Sequence, residues 1–150
     1  MPSKAQTRTF EVTTRDLEGL PDSRGDSIRS MLSSDHGIEV GSVRVILGYQ
    51  VMADISDTEA ESLVYDLFAD PVIEVGSSES RLLDVFPIAP DAAIQVGYKP
   101  GVTDNPGQAG LDGLATLYPA HECAMVATFR TYAFWGVPEG ISPELSLIHI

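Results

Sequence analysis

The 150-residue chain has a single cysteine, Cys123. One thiol excludes an intrachain disulfide scaffold. Basic residues are scarce: 9 Lys and Arg stand against 22 Asp and Glu, for a net charge of −13. A face that grips phosphate backbone needs clustered Lys and Arg, so this balance argues against a nucleic-acid partner. It argues equally against binding to an anionic membrane surface. No apolar run approaches the roughly 18 residues needed to cross a bilayer. The opening Met1-Pro2-Ser3-Lys4-Ala5-Gln6 carries no apolar signal segment. These absences lead us to expect a cytoplasmic protein in a reducing compartment. The rest is ordinary globular composition, 43 % hydrophobic and 21 % charged. A chain this long buries roughly 68–70 % of its unfolded surface, enough for one solid core or two small linked ones.

Hydrophobic spacing then predicts elements. Phe10-Glu11-Val12-Thr13 alternates as a half-buried strand. Ser23 with Asp26 resembles a capping box, and Ile28, Met31 and Leu32 form a stripe, so a helix is expected over 23–34, ended by Gly37. Val43, Val45 and Leu47 predict one strand, and Val51, Ala53 and Ile55 a second. Gly48-Tyr49-Gln50 would form the hairpin between them. Ser56-Asp57-Thr58-Glu59 is a stronger capping box. The stripe Ala60, Leu63, Val64, Leu67 and Phe68 follows it. Asp70-Pro71 stops that helix, because the residue before proline is pushed out of helical geometry. Val72, Ile73 and Val75 predict a closing strand.

The order then restarts. Ile94, Val96 and Tyr98 repeat the first strand. Asp104-Asn105-Pro106-Gly107 opens a helix with proline in its first turn. Leu111, Leu114, Ala115 and Tyr118 give its stripe, which Gly110 and Gly113 weaken by about 1 kcal/mol each relative to alanine. Met125 to Phe129 and Tyr132 to Trp135 predict two further strands, and Ser142 a second helix start. Asp22 and Gly25 match Asp104 and Gly107, and Ile55-Ser56 matches Ile141-Ser142, at an offset of about 82–86 residues, the mark of duplication. The fold class expected is therefore α+β. It consists of tandem βαββαβ ferredoxin-like units with helices on one face of antiparallel sheets, the second unit incomplete. Residues 1–76 form the first repeat, 77–91 a connector and 92–144 the second repeat. The two copies are expected to pack as a pseudo-dimer with sheets or sheet edges joined, because a small sheet leaves an edge open. Leu145-Ser146-Leu147-Ile148-His149-Ile150 is also the translation of a widely used sequencing-library transposon end, CTG TCT CTT ATA CAC ATC. Residues 145–150 are read as adapter-derived.

Reactive groups are sparse. His36, His121 and His149 lack ligands at helical spacing, and His121-Glu122-Cys123 on a strand would point to alternate faces. A solvent-facing histidine and a small buried cysteine are the simpler reading. Cys123 has no base or orienting partner in sequence, so it is not read as a nucleophile. Lys99-Pro100-Gly101 leads into the Asp104 helix start, but its spacing matches no phosphate-binding motif. It reads as a tight loop with Asp104 as the cap. The acidic residues from Asp54 to Asp70 read as a solvated helix face. Phe129, Tyr132, Phe134 and Trp135 read as half a core or as a protein contact. No catalytic, cofactor-binding or metal residue is nominated.

Three segments carry a family resemblance. Asp22-Ser23-Arg24-Gly25, the strand Val43-Arg44-Val45 and Leu67-Phe68-Ala69-Asp70-Pro71-Val72-Ile73-Glu74 resemble the small subunit of phosphoribosylformylglycinamidine synthase. Val96-Gly97-Tyr98-Lys99-Pro100-Gly101-Val102-Thr103-Asp104-Asn105-Pro106-Gly107 is similar to a stretch of the long forms, where a tandem small-subunit-like domain precedes the synthase core. The resemblance spans residues 8–144. It implies a noncatalytic assembly domain of a ligase and glutamine amidotransferase in purine biosynthesis. The partners implied are the synthase core, which would hold ATP and Mg, and the glutaminase; none of those sites falls here. Asp22, Gly25, Asp104 and Gly107 carry over as helix starts and Asp70-Pro71 as a helix stop. The alternative is a small-molecule-sensing regulatory domain, since the same element order serves amino-acid-sensing modules.

Overall fold

Alternating Phe10 and Val12 fall inside β1 (Gln6–Thr14), and the Ile28, Met31 and Leu32 stripe lies on α1 (Ser23–His36). They belong to a computed structural model that describes residues 5–15, 22–79, 81–121 and 123–140. The chain continues through β2 (Ser42–Ala53), α2 (Asp57–Leu63) with a π-helical turn over Val64–Phe68, and β3 (Glu74–Ser77). A 3-10 turn (Leu82–Asp84), β4 (Ala92–Gly97), α3 (Asn105–Leu117) and β5 (Cys123–Trp135) complete it. The strands form one antiparallel sheet in the order β3-β1-β2-β5-β4. Among the described residues no helix is long and apolar enough to cross a membrane. The helix start expected at Ser142 and the segment 145–150 lie outside the described residues.

The α+β class is as expected, and the arrangement is compatible with ferredoxin-like βαββαβ units. The hairpin expected at Gly48-Tyr49-Gln50 is not formed, and the two strands expected over Met125 to Phe129 and Tyr132 to Trp135 are one. Gly48-Tyr49-Gln50 runs straight through the middle of β2, and residues 125–135 run straight through β5. The physical reason lies in the side-chain alternation. Val43, Val45, Leu47, Tyr49, Val51 and Ala53 keep one face without a break, so no residue demands a turn.

Because each pair of expected strands is one long strand, the halves are exchanged between the copies. The first half of β2 pairs with the second half of β5, as in Val43 with Phe134 and Val45 with Tyr132. The second half of β2 pairs with the first half of β5, as in Val51 with Val126. β1 lies against the second half of β2, and β4 against the second half of β5. Each ferredoxin-like unit is thus completed by a strand from the other copy. The helices are exchanged too. Ile28, Met31 and Leu32 of α1 pack with Ala92, Ile94, Tyr132 and Phe134 of the second copy. Leu111 and Leu114 of α3 pack with Phe10, Val51, Leu63 and Phe68 of the first.

Several smaller expectations shift. Asp22, not Ser23, caps α1, and Gly37 closes it in the left-handed conformation at φ 64°. Val72 and Ile73 are not strand residues. They lie in a turn held by the Glu74 N–H donating to the Asp70 carbonyl (2.8 Å), and are 73 % and 42 % exposed. Ala115 faces solvent, while Gly110 and Gly113 lie against Val126 and Leu67, so the glycines serve close packing of α3. The aromatic quartet divides between faces. Tyr132 and Phe134 join the helix-side core, and Phe129 and Trp135 alternate to the back, where Phe86 meets Trp135 edge-on at 5.2 Å. There the connector covers the sheet through buried Leu82, whose N–H donates to Glu11 (3.2 Å). Burial pushes the Glu11 carboxyl above its ordinary pKa, although the Leu82 N–H and the nearby Arg81 oppose the shift.

The Ser56 capping box is complete: the Glu59 N–H donates to Ser56 Oγ, and the Ser56 N–H donates to Glu59 Oε2. Ser56→Ala is expected to cost about 1 kcal/mol of stability, read as a lower urea midpoint. An unchanged midpoint would remove the cap from the account.

Candidate functional site

The two D-x-x-G segments do the same work in each copy. Asp22 Oδ1 accepts from the Gly25 N–H (3.3 Å), capping α1, and Oδ2 accepts from the Val45 N–H of β2 (3.0 Å). Asp104 Oδ1 accepts from the Gly107 N–H (2.8 Å), capping α3, and Oδ2 accepts from the Thr128 N–H of β5 (2.6 Å). The Thr128 hydroxyl adds a third bond to Asp104 (2.7 Å). Each carboxylate therefore ties a helix start to a strand. The glycines permit the close approach. A Cβ on Gly25 would lie 1.9 Å from the Val43 carbonyl oxygen, and one on Gly107 2.5 Å from that of Val126. Burial raises the Asp104 pKa, but the bonds from Thr128 and Gly107 outweigh it and hold the carboxyl below its ordinary value.

The other motif residues also shape the chain. Lys99-Pro100-Gly101-Val102 is a turn in which the Val102 N–H donates to the Lys99 carbonyl (3.1 Å). Gly101 takes φ +84°, the position that favours glycine after proline. Asp70 Oδ1 accepts from the Val72 N–H (2.9 Å) in the turn that Pro71 opens. His121 does not sit alone in solvent: its Nε2 is 2.9 Å from Glu59 Oε1, joining the turn after α3 to the start of α2. Among the described residues no three His, Cys, Asp or Glu side chains are grouped to hold a metal.

A cleft of about 340 Å³ opens at the centre of the sheet. Leu47 pairs with Arg130 midway along β2 and β5. Val45 and Tyr49 flank Leu47, and Thr128 and Tyr132 flank Arg130 in the same way, so this pair marks a pseudo-twofold axis. These alternate positions share the helix side of the sheet. The floor is formed by Leu47, Tyr49, Thr128, Arg130 and Tyr132, with Val96, Tyr98 and Pro106 at the rim. Tyr49 stacks on Phe68 with ring centroids 4.4 Å apart. Burial raises its phenol pKa, as do Glu74 and Asp104, while Arg24 and Arg130 oppose the shift.

The cleft brings together residues that motif reasoning passed over. Tyr49, Thr128 and Arg130 were not nominated. Tyr49 and Tyr132 do occupy matching positions of the two copies, a signal that carrying the repeat through both strands would expose. Of the motif residues Asp104 approaches the cleft, through Thr128, whereas Asp22, Gly25, Asp70, Pro71, Lys99, Pro100, Gly101 and Gly107 do not line it. No family model matches the chain, and no curated protein or solved structure is significantly similar to it.

Proposed function

We propose that the chain is a noncatalytic assembly domain of phosphoribosylformylglycinamidine synthase, a cytoplasmic ligase, and that it bridges the synthase core and the glutaminase. The observation that supports this most is the use made of its motif residues. Asp22, Gly25, Asp104 and Gly107, which carry the resemblance, are engaged in anchoring helices to strands rather than in aiming groups at a substrate. A rigid sheet built from two exchanged copies is suited to holding larger partners in register. In this reading ATP and Mg belong to the synthase core, and ammonia passes between the partners without escaping to water.

The test is reconstitution. Purified chain is mixed with a folded synthase core and its glutaminase and run by size-exclusion chromatography with light scattering. Co-elution with the core is expected at micromolar concentrations, with neither ATPase nor glutaminase activity in the chain alone. Absence of binding to an active core, or either activity in the isolated chain, would overturn the reading.

A further inference from the structure

The repeat is symmetric in backbone but not in chemistry at its centre. On the axis one copy supplies Leu47 and the other Arg130, so the floor of the cleft sets an apolar side chain beside a cation. Arg130 lies opposite Leu47 on one side and Val96 on the other in the strand ladder, and it is exposed. A positive group so placed is notable in a chain of net charge −13. Around it the rim leaves apolar surface uncovered: Val96 is 39 % exposed and Tyr98 49 % exposed. The volume falls within the range of small-molecule sites, roughly 300–1,000 Å³. Aromatic and aliphatic walls favour a flat ring, which buries area and stacks on tyrosine. A guanidinium favours a carboxylate or phosphate, which it can hold through two parallel bonds.

We propose that this central cleft binds a small ring compound bearing one anionic group, the anion on Arg130 and the ring against Tyr98 and Val96. The occupant is a carboxylate or a phosphate ester of an aromatic ring. The inference is independent of the assembly reading, because it concerns this chain alone.

Titration calorimetry and saturation-transfer NMR on the full chain test it, with benzoate and phenyl phosphate as probes. Inorganic phosphate and benzyl alcohol supply the anion and the ring separately. At least one ring-bearing anion is expected to bind below about 1 mM, and both partial probes at least about tenfold more weakly. The preferred anion identifies the class. Arg130→Gln should weaken that binding about tenfold or more, and Tyr98→Ala several-fold, with thermal melts unchanged. Gln95→Ala, on the back face of β4, should leave it unaltered. Equal binding of benzyl alcohol would overturn the proposal, as would indifference to both Arg130→Gln and Tyr98→Ala, or no binding of either anion at about 10 mM. Tyr98 lies outside the strands, so its variant keeps the test decisive if Arg130→Gln disturbs the sheet.

Discussion

Gly25→Ala is expected to lower stability by about 3 kcal/mol, the upper range for overpacking a tight site. In a chain of this size that is a fall in Tm of roughly 6–12 °C. The new methyl carbon would meet the Val43 carbonyl oxygen at 1.9 Å, and this contact is backbone, which cannot swing aside. The start of α1 would have to lift from β2, loosening both bonds that Asp22 makes. Gly107→Ala meets the Val126 carbonyl at 2.5 Å and should do less harm. Gly101 provides the contrast: nothing lies within 4 Å, so only the strain of its positive φ opposes a side chain there. Thermal unfolding followed by circular dichroism checks the series. A Gly25→Ala protein as stable as Gly101→Ala would contradict the close approach.

Asp104→Asn is expected to cost about 3 kcal/mol at neutral pH, from the weight of hydrogen bonds to a charged acceptor. The carboxylate accepts three bonds, from the Gly107 N–H, the Thr128 N–H and the Thr128 hydroxyl. An amide keeps one oxygen and turns an NH2 donor toward groups that themselves donate. The pH dependence carries a sign. The Asp104 pKa is lowered in the folded protein, so its stabilisation is complete above the ordinary carboxylate range. It is lost as pH falls from that range through the lowered value. The gap in urea midpoint between wild type and Asp104→Asn should therefore narrow as pH falls from about 7 to about 3. A gap that persists unchanged at low pH would show that the loss is one of packing.

What could be read in advance follows from which forces are local. The Ser56-to-Glu59 capping box and the stripe to Phe68 specify α2 within a dozen positions, and Asp104 with Pro106 does the same for α3. Fold class followed from the order of such elements. Strand exchange did not, because alternation records which side of a sheet a residue faces but not which strand lies beside it. Gly48 suggested a turn, yet it occupies the back face beneath the Phe129 ring, where a small residue suits a straight strand. Arg130 was passed over for a related reason. A lone basic residue in a strand carries no motif, and its place on the axis emerges only from the pairing of two distant segments.

Exchange also governs when the molecule can be finished. Neither core closes within one copy: Val51 waits for Val126, and Leu32 waits for Phe134. During synthesis the first half leaves the ribosome with an unfilled seam, and the contacts that seal it come late and across long loops, a slow route by their closure entropy. At high concentration a neighbour's second half can fill that seam as well as its own. Dilution during refolding should thus favour monomers over interlocked pairs.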